Sequence, residues 1–205
     1  MPDVKIYGIA ASRSMRPLWM ALELGIDFEH VPTAFGEAGS RKPDFKSVNP
    51  NGKIPAMQDG DFRLFESMAI DWYLARKFDN GKGLAPRDLQ EEALTLQWTL
   101  WAMTEVEKPV IDWAFNAFVW PAEKRDAKVA ATCMASIQAP LKVLDQALAG
   151  KQFLVGDRFT VADLNVAATL YRLLNVDLGH VPNVKSWLHR CFERPAALAM
   201  RKMRE

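Results

Sequence analysis

The sequence predicts an α/β domain followed by an all-helical domain, and two observations support this. In roughly the first 78 residues, apolar runs of strand length alternate with apolar residues at helical spacing. After residue 88, only helical spacing recurs. Between the two parts, Asp79-Asn80-Gly81-Lys82-Gly83 and Pro86 break every periodic pattern. We therefore place the linker between Phe78 and Asp88, with domains at residues 1–77 and 89–205.

The first domain opens with a strand, a helix and a second strand. Val4 to Tyr7 forms the first predicted strand, and residues 27–31 form the second. Between them lies a helix that ends at Gly25, and one of its faces carries Met15, Leu18, Trp19 and Leu22. A strand–helix–strand unit of this length predicts a right-handed parallel crossover. A short irregular helix is expected within residues 33–48.

A hairpin and a helix complete the first domain. Ile54 and Pro55 open an apolar run, and a proline belongs at the first residue or the edge of a strand. The turn signal Gln58-Asp59-Gly60-Asp61 leads to a second strand, Phe62 to Phe65. Ser67 is expected to cap the helix that follows, whose first N–H groups favour an anion. The order β-α-β-α-β-β-α is that of the thioredoxin fold, and this arrangement predicts a site for a peptide-like ligand with a carboxylate.

The second domain is predicted to be entirely helical. Residues 88–107 are apolar on two sides, which is typical of a helix between two neighbours. Proline residues predict an interruption at Pro109, a helix start at Pro121 and a bend at Pro140. Thr160 and Asp163 have the spacing of a capping box, and Phe159 and Leu164 that of a hydrophobic staple.

Composition excludes several classes of function. The formal net charge of +1 gives no reason to expect nucleic acid or an anionic membrane as a partner. No apolar run is long enough for a transmembrane helix, and the first residues do not resemble a signal peptide. Cys133 and Cys191 lie far apart in helical patterns, which fits a reducing cytosol. The three histidines lack the spacing of metal ligands, so we expect no metal.

The motif Gly52-Lys53-Ile54-Pro55, followed by Leu64-Phe65-Glu66-Ser67, resembles the glutathione-binding half of the glutathione S-transferases. A second motif, from Gly156 to the capping box at Thr160 and Asp163, resembles the start of the central C-terminal helix in the same family. The resemblance covers nearly the whole chain and is closest in kind to serine-type, phi- or theta-like classes. It implies that Pro55 is cis and that the backbone of Ile54 pairs with the cysteinyl part of glutathione. It also implies that Glu66 and Ser67 hold the γ-glutamyl end.

The loop of residues 8–16 holds the candidate catalytic residue. The resemblance implies a catalytic serine at this junction, followed four residues later by arginine, and Ser12 and Arg16 match. A hydroxyl donor and a helix N-terminus both stabilise a thiolate, the nucleophilic form of a thiol whose ordinary pKa is about 8.5. The alternative is that Ser12 and Ser14 are only helix caps. Ser14 is the reserve candidate, and Tyr7 is a further competitor that we expect to be a core residue of its strand.

Further residues are candidates for binding glutathione or an electrophilic second substrate. Arg41, Lys42 and Lys53 are candidates for binding the glycyl carboxylate of glutathione, although a solvated basic face is the commoner role of such residues. The candidates for an apolar electrophile pocket cluster after Pro109, although a core or a subunit interface would also explain them; they are Trp113, Phe115 and Phe118.

The resemblance implies a glutathione transferase that activates the thiol of glutathione, its co-substrate, for attack on a small apolar electrophile. It further implies detoxification in the cytoplasm and a homodimer, in which the N-terminal domain of one subunit meets the C-terminal domain of the other. Two alternatives remain. One is a glutathione-dependent isomerase, although Ser12-Arg13-Ser14 departs from the Ser-Ser-Cys cluster usual there. The other is a non-catalytic binding protein with the same fold. The loop of residues 7–16 contains no cysteine, which disfavours thiol–disulfide exchange.

Overall fold

The computed structural model describes residues 3–204, which fall into two units. One unit joins residues 3–86 to residues 193–204, and the other is Arg87–Phe192. The strands are β1 (Val4–Tyr7), β2 (Phe28–Val31), β3 (Ala56–Asp59) and β4 (Phe62–Phe65). The α-helices are α1 (Met15–Leu24), α2 (Pro43–Lys46), α3 (Ser67–Phe78), α4 (Leu89–Trp101), α5 (Glu107–Ala114), α6 (Ala127–Ser136), α7 (Gln138–Ala147), α8 (Val161–Leu170), α9 (Pro182–Phe192) and α10 (Pro195–Lys202).

The first unit is built on a four-stranded sheet with the order β2-β1-β3-β4. β1 pairs in parallel with β2 through the crossover helix α1, as the sequence predicts. The other two pairings, β1 with β3 and β3 with β4, are antiparallel. Helix α1 packs against α3, and α3 contacts β3 and β4. The thioredoxin-like order of elements is confirmed.

Helix α10 packs against α1, within the sheet-containing unit. The guanidinium of Arg194 donates two hydrogen bonds of 2.7 Å to the carboxylate of Glu23 on α1. The indole N–H of Trp19 donates to the same carboxylate over 2.9 Å. A two-point arginine–carboxylate contact fixes orientation as well as distance, so it holds the start of α10 at the end of α1.

The hairpin differs from the sequence prediction at both of its ends. The Ile54–Pro55 bond is cis, as expected, but the ladder of β3 starts one residue later, at Ala56. At the other end, the expectation that Ser67 caps α3 is wrong. Ser67 is the first helical residue, Glu66 occupies the cap position, and the Ser67 hydroxyl accepts a hydrogen bond from Arg16 instead. Its side chain therefore faces the protein interior.

The second unit surrounds α8, all ten residues of which are buried. The capping box at its start is confirmed, and Asp163 has further partners that the motif did not predict. Its carboxylate accepts from the Thr160 N–H and hydroxyl, from the Leu154 N–H, and from the Trp187 indole N–H. Burial raises the pKa of this carboxyl, and the four donors oppose that shift.

Proline effects in the second unit appear one turn before the prolines. A proline leaves the carbonyl four residues earlier without its helical donor, and this explains the positions of the two breaks associated with Pro109 and Pro140. The interruption expected at Pro109 is a π-helical segment, Ala102–Val106, directly before α5. The bend expected at Pro140 is instead a break at Ile137, between α6 and α7. After Pro121 the chain forms only a short 3₁₀ turn, and α6 starts later, where Asp126 caps it.

Other parts of this chain cover only one of the two apolar sides of helix α4. Trp98 is buried, as expected of a core-facing residue. The opposite side is exposed; it carries Leu89, Leu96 and Leu100, and the exposed Met103 follows in the π-helical segment. The expectation that residues 88–107 lie between two neighbours is therefore met on one side only.

Within residues 3–204, no helix combines the length and the apolar character that crossing a bilayer requires.

Asp163→Ala should lower the free energy of unfolding by about 3–5 kcal/mol, because it leaves several buried donors without an acceptor. Urea unfolding followed by fluorescence measures the change. The control is Asp157→Ala, which removes an exposed carboxylate from the turn before α8 and should cost less than about 1 kcal/mol. Equal stability of Asp163→Ala and the wild type would contradict the role assigned to this side chain.

Candidate functional site

Three segments of the first unit converge at one end of the sheet. Tyr7 on β1, Ala56 on β3 and Phe65 on β4 lie side by side in one paired row. β1 and β4 run in the same direction and β3 runs against them. The loop after Tyr7, the Ile54–Pro55 segment before Ala56 and the Glu66–Ser67 segment after Phe65 therefore leave the sheet at the same edge.

Gly8 brings the loop of residues 8–14 close to Ile54. Its N–H donates to the Val31 carbonyl over 3.0 Å, and the His30 Nε2 lies 2.7 Å from its carbonyl oxygen. Gly8 has a φ of 132°, a region that side chains rarely adopt. A Cβ at this position would lie 2.0 Å from the Ser14 Oγ and 3.1 Å from the Ile54 Cβ. Only glycine allows the two segments to approach this closely.

Ser12 is half-buried and lies within that loop. Its Oγ is 2.7 Å from the Ile9 carbonyl oxygen and 2.9 Å from the Ser14 Oγ, and it accepts from the Ser14 N–H over 3.1 Å. Because a hydroxyl has one proton, only one of the two oxygens can accept it at a time. The Ser12 proton is thus held by local acceptors that an incoming anion could replace.

Ser14 and Tyr7 are placed differently from Ser12. Ser14 is fully buried, occupies the cap position of α1 and makes no capping hydrogen bond through its side chain. The Tyr7 hydroxyl donates over 3.2 Å to Gln58, which pairs with Lys5 further from the loop, and its ring packs edge-on against Phe45. Of the three candidates, Ser12 is the one that is partly exposed and lies in the loop.

Ile54 is fixed from two sides. Its side chain is buried in a small cluster with Phe45 and Val48, against which Tyr7 and Ile9 pack. The preceding turn is closed by Asn49, whose amide donates to the Lys53 carbonyl over 2.6 Å. Pairing of β3 ends at Ala56, so the backbone N–H and carbonyl of Ile54 lie beyond the last paired row. They are placed to pair with an extended ligand.

Glu66 and Ser67 differ in exposure and in partners. Glu66 is exposed and has a φ of 70°, which is uncommon outside glycine and costs of order 1–3 kcal/mol. Ser67 is buried, and its Oγ accepts from an Arg16 N–H over 3.0 Å. Since α3 begins here, its first N–H groups have no acceptor within the helix.

The candidate basic residues are all exposed. Arg41 and Lys46 flank Gly52: the Arg41 Cγ and the Lys46 Cε lie 3.8 and 3.6 Å from where a Cβ at Gly52 would stand. Lys53 is the next residue in the chain, and the Arg41 guanidinium donates to the Glu37 carboxylate over 3.4 Å. Lys42 takes the cap position of α2. Sequence reasoning missed Lys46, since a lysine in a polar loop carries no distinguishing signal.

The aromatic candidates lie in the second unit and form two pairs. Trp113 meets Phe118 with ring centres 5.4 Å apart, and Phe115 meets Trp120 at 5.3 Å. Phe115–Val119 is a π-helical turn, and the Arg172 guanidinium lies 5.4 Å from the Phe115 ring. Phe118 is 48% exposed, so the cluster presents an apolar surface.

Two further residues near the site escaped sequence reasoning. Arg204 donates over 2.7 Å to the Ala10 carbonyl in the loop that holds Ser12, and no local pattern could link positions 194 residues apart. Asp71 is fully buried on α3, one turn after Ser67. A charged residue within an apolar helix face was the available signal. Residues 3–204 contain no group of three or more His, Cys, Asp or Glu side chains placed to hold a metal ion.

Two family descriptions match the chain. Residues 2–76 match "Glutathione S-transferase, N-terminal domain", and residues 106–195 match "Glutathione S-transferase, C-terminal domain". Glutathione S-transferase F13 of Arabidopsis thaliana is 32% identical, with 95% of this chain and 93% of that protein aligned. Glutathione S-transferase 1 of Zea mays is also 32% identical, over 96% of this chain and 94% of its own length.

A solved structure extends the similarity to three dimensions. The theta class glutathione S-transferase from Xanthomonas axonopodis pv. citri, crystallised with glutathione bound, superposes with a TM-score of 0.90. The two chains are 28% identical, and the match covers 97% of each. The similarity therefore includes both the sheet-containing and the helical parts.

Gly8→Ala should destabilise the protein by more than about 1 kcal/mol, since the new Cβ has an unfavourable φ and collides with Ser14. Chemical unfolding measures this. Gly60→Ala is the matched control, because Gly60 also has a positive φ, 58°, but its Cβ would meet nothing within 4 Å. If the two variants lose equal stability, the close approach of the loop to Ile54 is not a constraint.

Proposed function

Because this chain belongs to the glutathione S-transferase family, and is therefore a glutathione transferase with glutathione as its co-substrate, we propose roles for the residues around Ile54. The observation that carries the proposal is the close approach of the Ser12 loop to Ile54 across Gly8. If the cysteinyl part of glutathione pairs with the Ile54 backbone, its sulfur lies on the side where the loop hydroxyls stand.

Ser12 is the donor that stabilises the thiolate of bound glutathione. Its proton leaves the Ile9 carbonyl or the Ser14 Oγ and is directed to the sulfur, which lowers the pKa of the thiol from its ordinary value of about 8.5. The thiol proton passes to solvent. The thiolate then attacks an electrophilic carbon, a carbon–sulfur bond forms, and the leaving group departs with its bonding electrons.

Charged and polar groups on both sides of Ile54 hold the two ends of glutathione. At the γ-glutamyl end, Glu66 meets the ammonium group and Ser67 meets the carboxylate. At the glycyl end, Arg41 and Lys53 are joined by Lys46, which lies beside Gly52. Lys42 is a weaker candidate, since it stands at the start of α2 and the side chains nearest to a Cβ at Gly52 are those of Lys46 and Arg41. Opposite charges at the two ends suit a zwitterionic tripeptide.

The second substrate is a small apolar electrophile, which aromatic side chains would bind. Trp113, Phe115 and Phe118 supply an apolar surface, and its exposed member, Phe118, makes that surface available to a ligand. Conjugation of such compounds is a detoxification reaction, and we place it in the cytoplasm, where free thiols such as Cys133 and Cys191 persist.

A homodimer would cover the exposed side of α4. Leu89, Leu96 and Leu100 are aligned along that side and are exposed in the single chain, where apolar surface of this kind marks an interaction site. Sedimentation equilibrium measures the mass directly, and a monomer at micromolar concentration would contradict this assignment.

Ser12→Ala should reduce turnover at pH 6.5 by about ten- to a hundredfold, because loss of a donor to a charged group costs about 1.5–3 kcal/mol. The difference in turnover between Ser12→Ala and the wild type should become smaller at high pH, where the thiol ionises without help. The affinity for glutathione should change much less than turnover does. The pH–rate profile with one electrophile measures this. Ser14→Ala and Tyr7→Phe are the matched variants. If Ser12→Ala keeps the wild-type pH–rate profile and one of these two variants loses it, the residue changed in that variant is the thiolate-stabilising donor.

Phe118→Ala should raise the KM for an aromatic electrophile by about threefold to tenfold and leave the KM for glutathione unchanged, because it removes apolar contact area from one substrate only. Steady-state kinetics with each substrate varied in turn tests this. Val143→Ala, an exposed apolar residue on α7, is the control. Equal KM values for the electrophile in the wild type and Phe118→Ala would remove the aromatic cluster from the pocket.

A further inference from the structure

Two charged residues are buried directly behind Ser67. Arg16 is 2% exposed and Asp71 is fully buried. Removing such groups from water costs several kcal/mol each unless they are paired, and an apolar pair of similar size is often at least as stable. Stability alone therefore does not account for this pair.

The geometry connects both residues to Ser67. Ser67 and Asp71 lie one turn apart on α3, so they share the face that packs against α1. Arg16 projects from the first turn of α1 and donates to the Ser67 Oγ over 3.0 Å. Its positive charge also acts on Asp71, where it opposes the burial that raises the pKa of that carboxyl well above its usual value.

Asp71 acts on Arg16 through charge. Both of its carboxylate oxygens are buried, and neither accepts a hydrogen bond from any described residue. A guanidinium remains charged in proteins, so a buried arginine needs a negative group near it. Asp71, when ionised, supplies that charge from the same helix that carries Ser67.

The contact with Arg16 decides what Ser67 can offer to a ligand. A hydroxyl has one proton and two acceptor sites. Arg16 has only donors, so its bond occupies an acceptor site of Ser67 and leaves the Ser67 proton for another partner. Accepting from a cation also polarises the hydroxyl and makes it a stronger donor. The site at Ser67 is thus suited to an anionic acceptor.

We propose that Arg16 and Asp71 are positioning residues that fix Ser67 as a hydrogen-bond donor to the carboxylate of the γ-glutamyl group. This inference rests on the proposed binding of that group at Glu66 and Ser67. It goes further, because it makes two residues that touch no substrate responsible for the selectivity for ligands with a free α-carboxylate.

The experiment compares two ligands by isothermal titration calorimetry, without an electrophile. One is glutathione, and the other is the same tripeptide with 4-aminobutyrate in place of its γ-glutamyl residue, which removes only the α-carboxylate. Arg16→Met should weaken binding of glutathione about tenfold and binding of the analogue less than about threefold. Equal weakening for both ligands would overturn the proposal, because a merely structural role would not distinguish them.

A second variant covers the case in which a single substitution leaves an unpaired buried charge and prevents folding. Arg16→Met combined with Asp71→Leu removes both charges and should retain the fold. This double variant should show the same loss of affinity for glutathione as Arg16→Met, and the same small change of affinity for the analogue. Unchanged affinity for glutathione in this folded double variant would also overturn the proposal. Arg76→Met, which removes an exposed arginine of α3, is the control for the loss of a positive charge.

Ser67→Ala separates the inference from the proposal on which it rests. If this variant binds glutathione as the wild type does, the γ-glutamyl group does not lie at Ser67, and both fail. If it weakens glutathione but Arg16→Met does not, only the positioning role fails. In a Ser67→Ala background, Arg16→Met should have little further effect, since the two residues act in series.

Discussion

The site depends on the register of one row of the sheet, in which Tyr7, Ala56 and Phe65 lie side by side. The three segments of the site are far apart in the chain and meet only because this row is the last one before each strand ends. A shift of one residue would turn every side chain of a strand to the other face of the sheet. Ile54 would then leave its cluster with Phe45 and Val48, and its backbone would no longer lie just beyond the ladder.

Packing behind the sheet edge supports this register with few contacts. Because Gly8 has no side chain, the Ser12 loop can approach Ile54. Asn49 holds the turn that leads into Ile54. Helix α1 holds the other side, since Arg16 near its start reaches Ser67 and Glu23 near its end receives Arg194. Of the residues proposed to touch glutathione, Ser67 and Ile54 are buried, and the charged groups and Ser12 are exposed or half-exposed.

Local patterns in the sequence were sufficient for most of the fold. The strands of the hairpin, helices α1 and α3, and the capping box at Thr160 and Asp163 each follow from residues near one another in the chain. The family motifs around Ile54 and Glu66 are also local, and the segments that they mark meet at one end of the sheet. Prolines were less informative about position, because a proline affects the carbonyl four residues earlier and the break appears there.

What the sequence could not predict depends on distant partners. Ser67 has the ordinary signal of a helix cap, but Arg16 from another helix occupies its hydroxyl. Asp71 gains a role only when α1 is packed against α3. The partner of Glu23 is 171 residues away, and that of Ala10 is 194 residues away. No periodicity or motif connects such positions, so their contacts appear only in three dimensions.

The placement of α10 affects the order in which the protein matures during synthesis. Residues of the second unit leave the ribosome before residues 193–204, although the latter belong to the sheet-containing unit. Domains generally fold as units as they emerge, so the helical unit has all its residues while the other still waits for its last segment. During that interval Glu23 lacks Arg194, and the carbonyl of Ala10 lacks Arg204. The proposed glutathione site, whose residues are translated before those of the helical unit, is thus completed only after that unit has emerged.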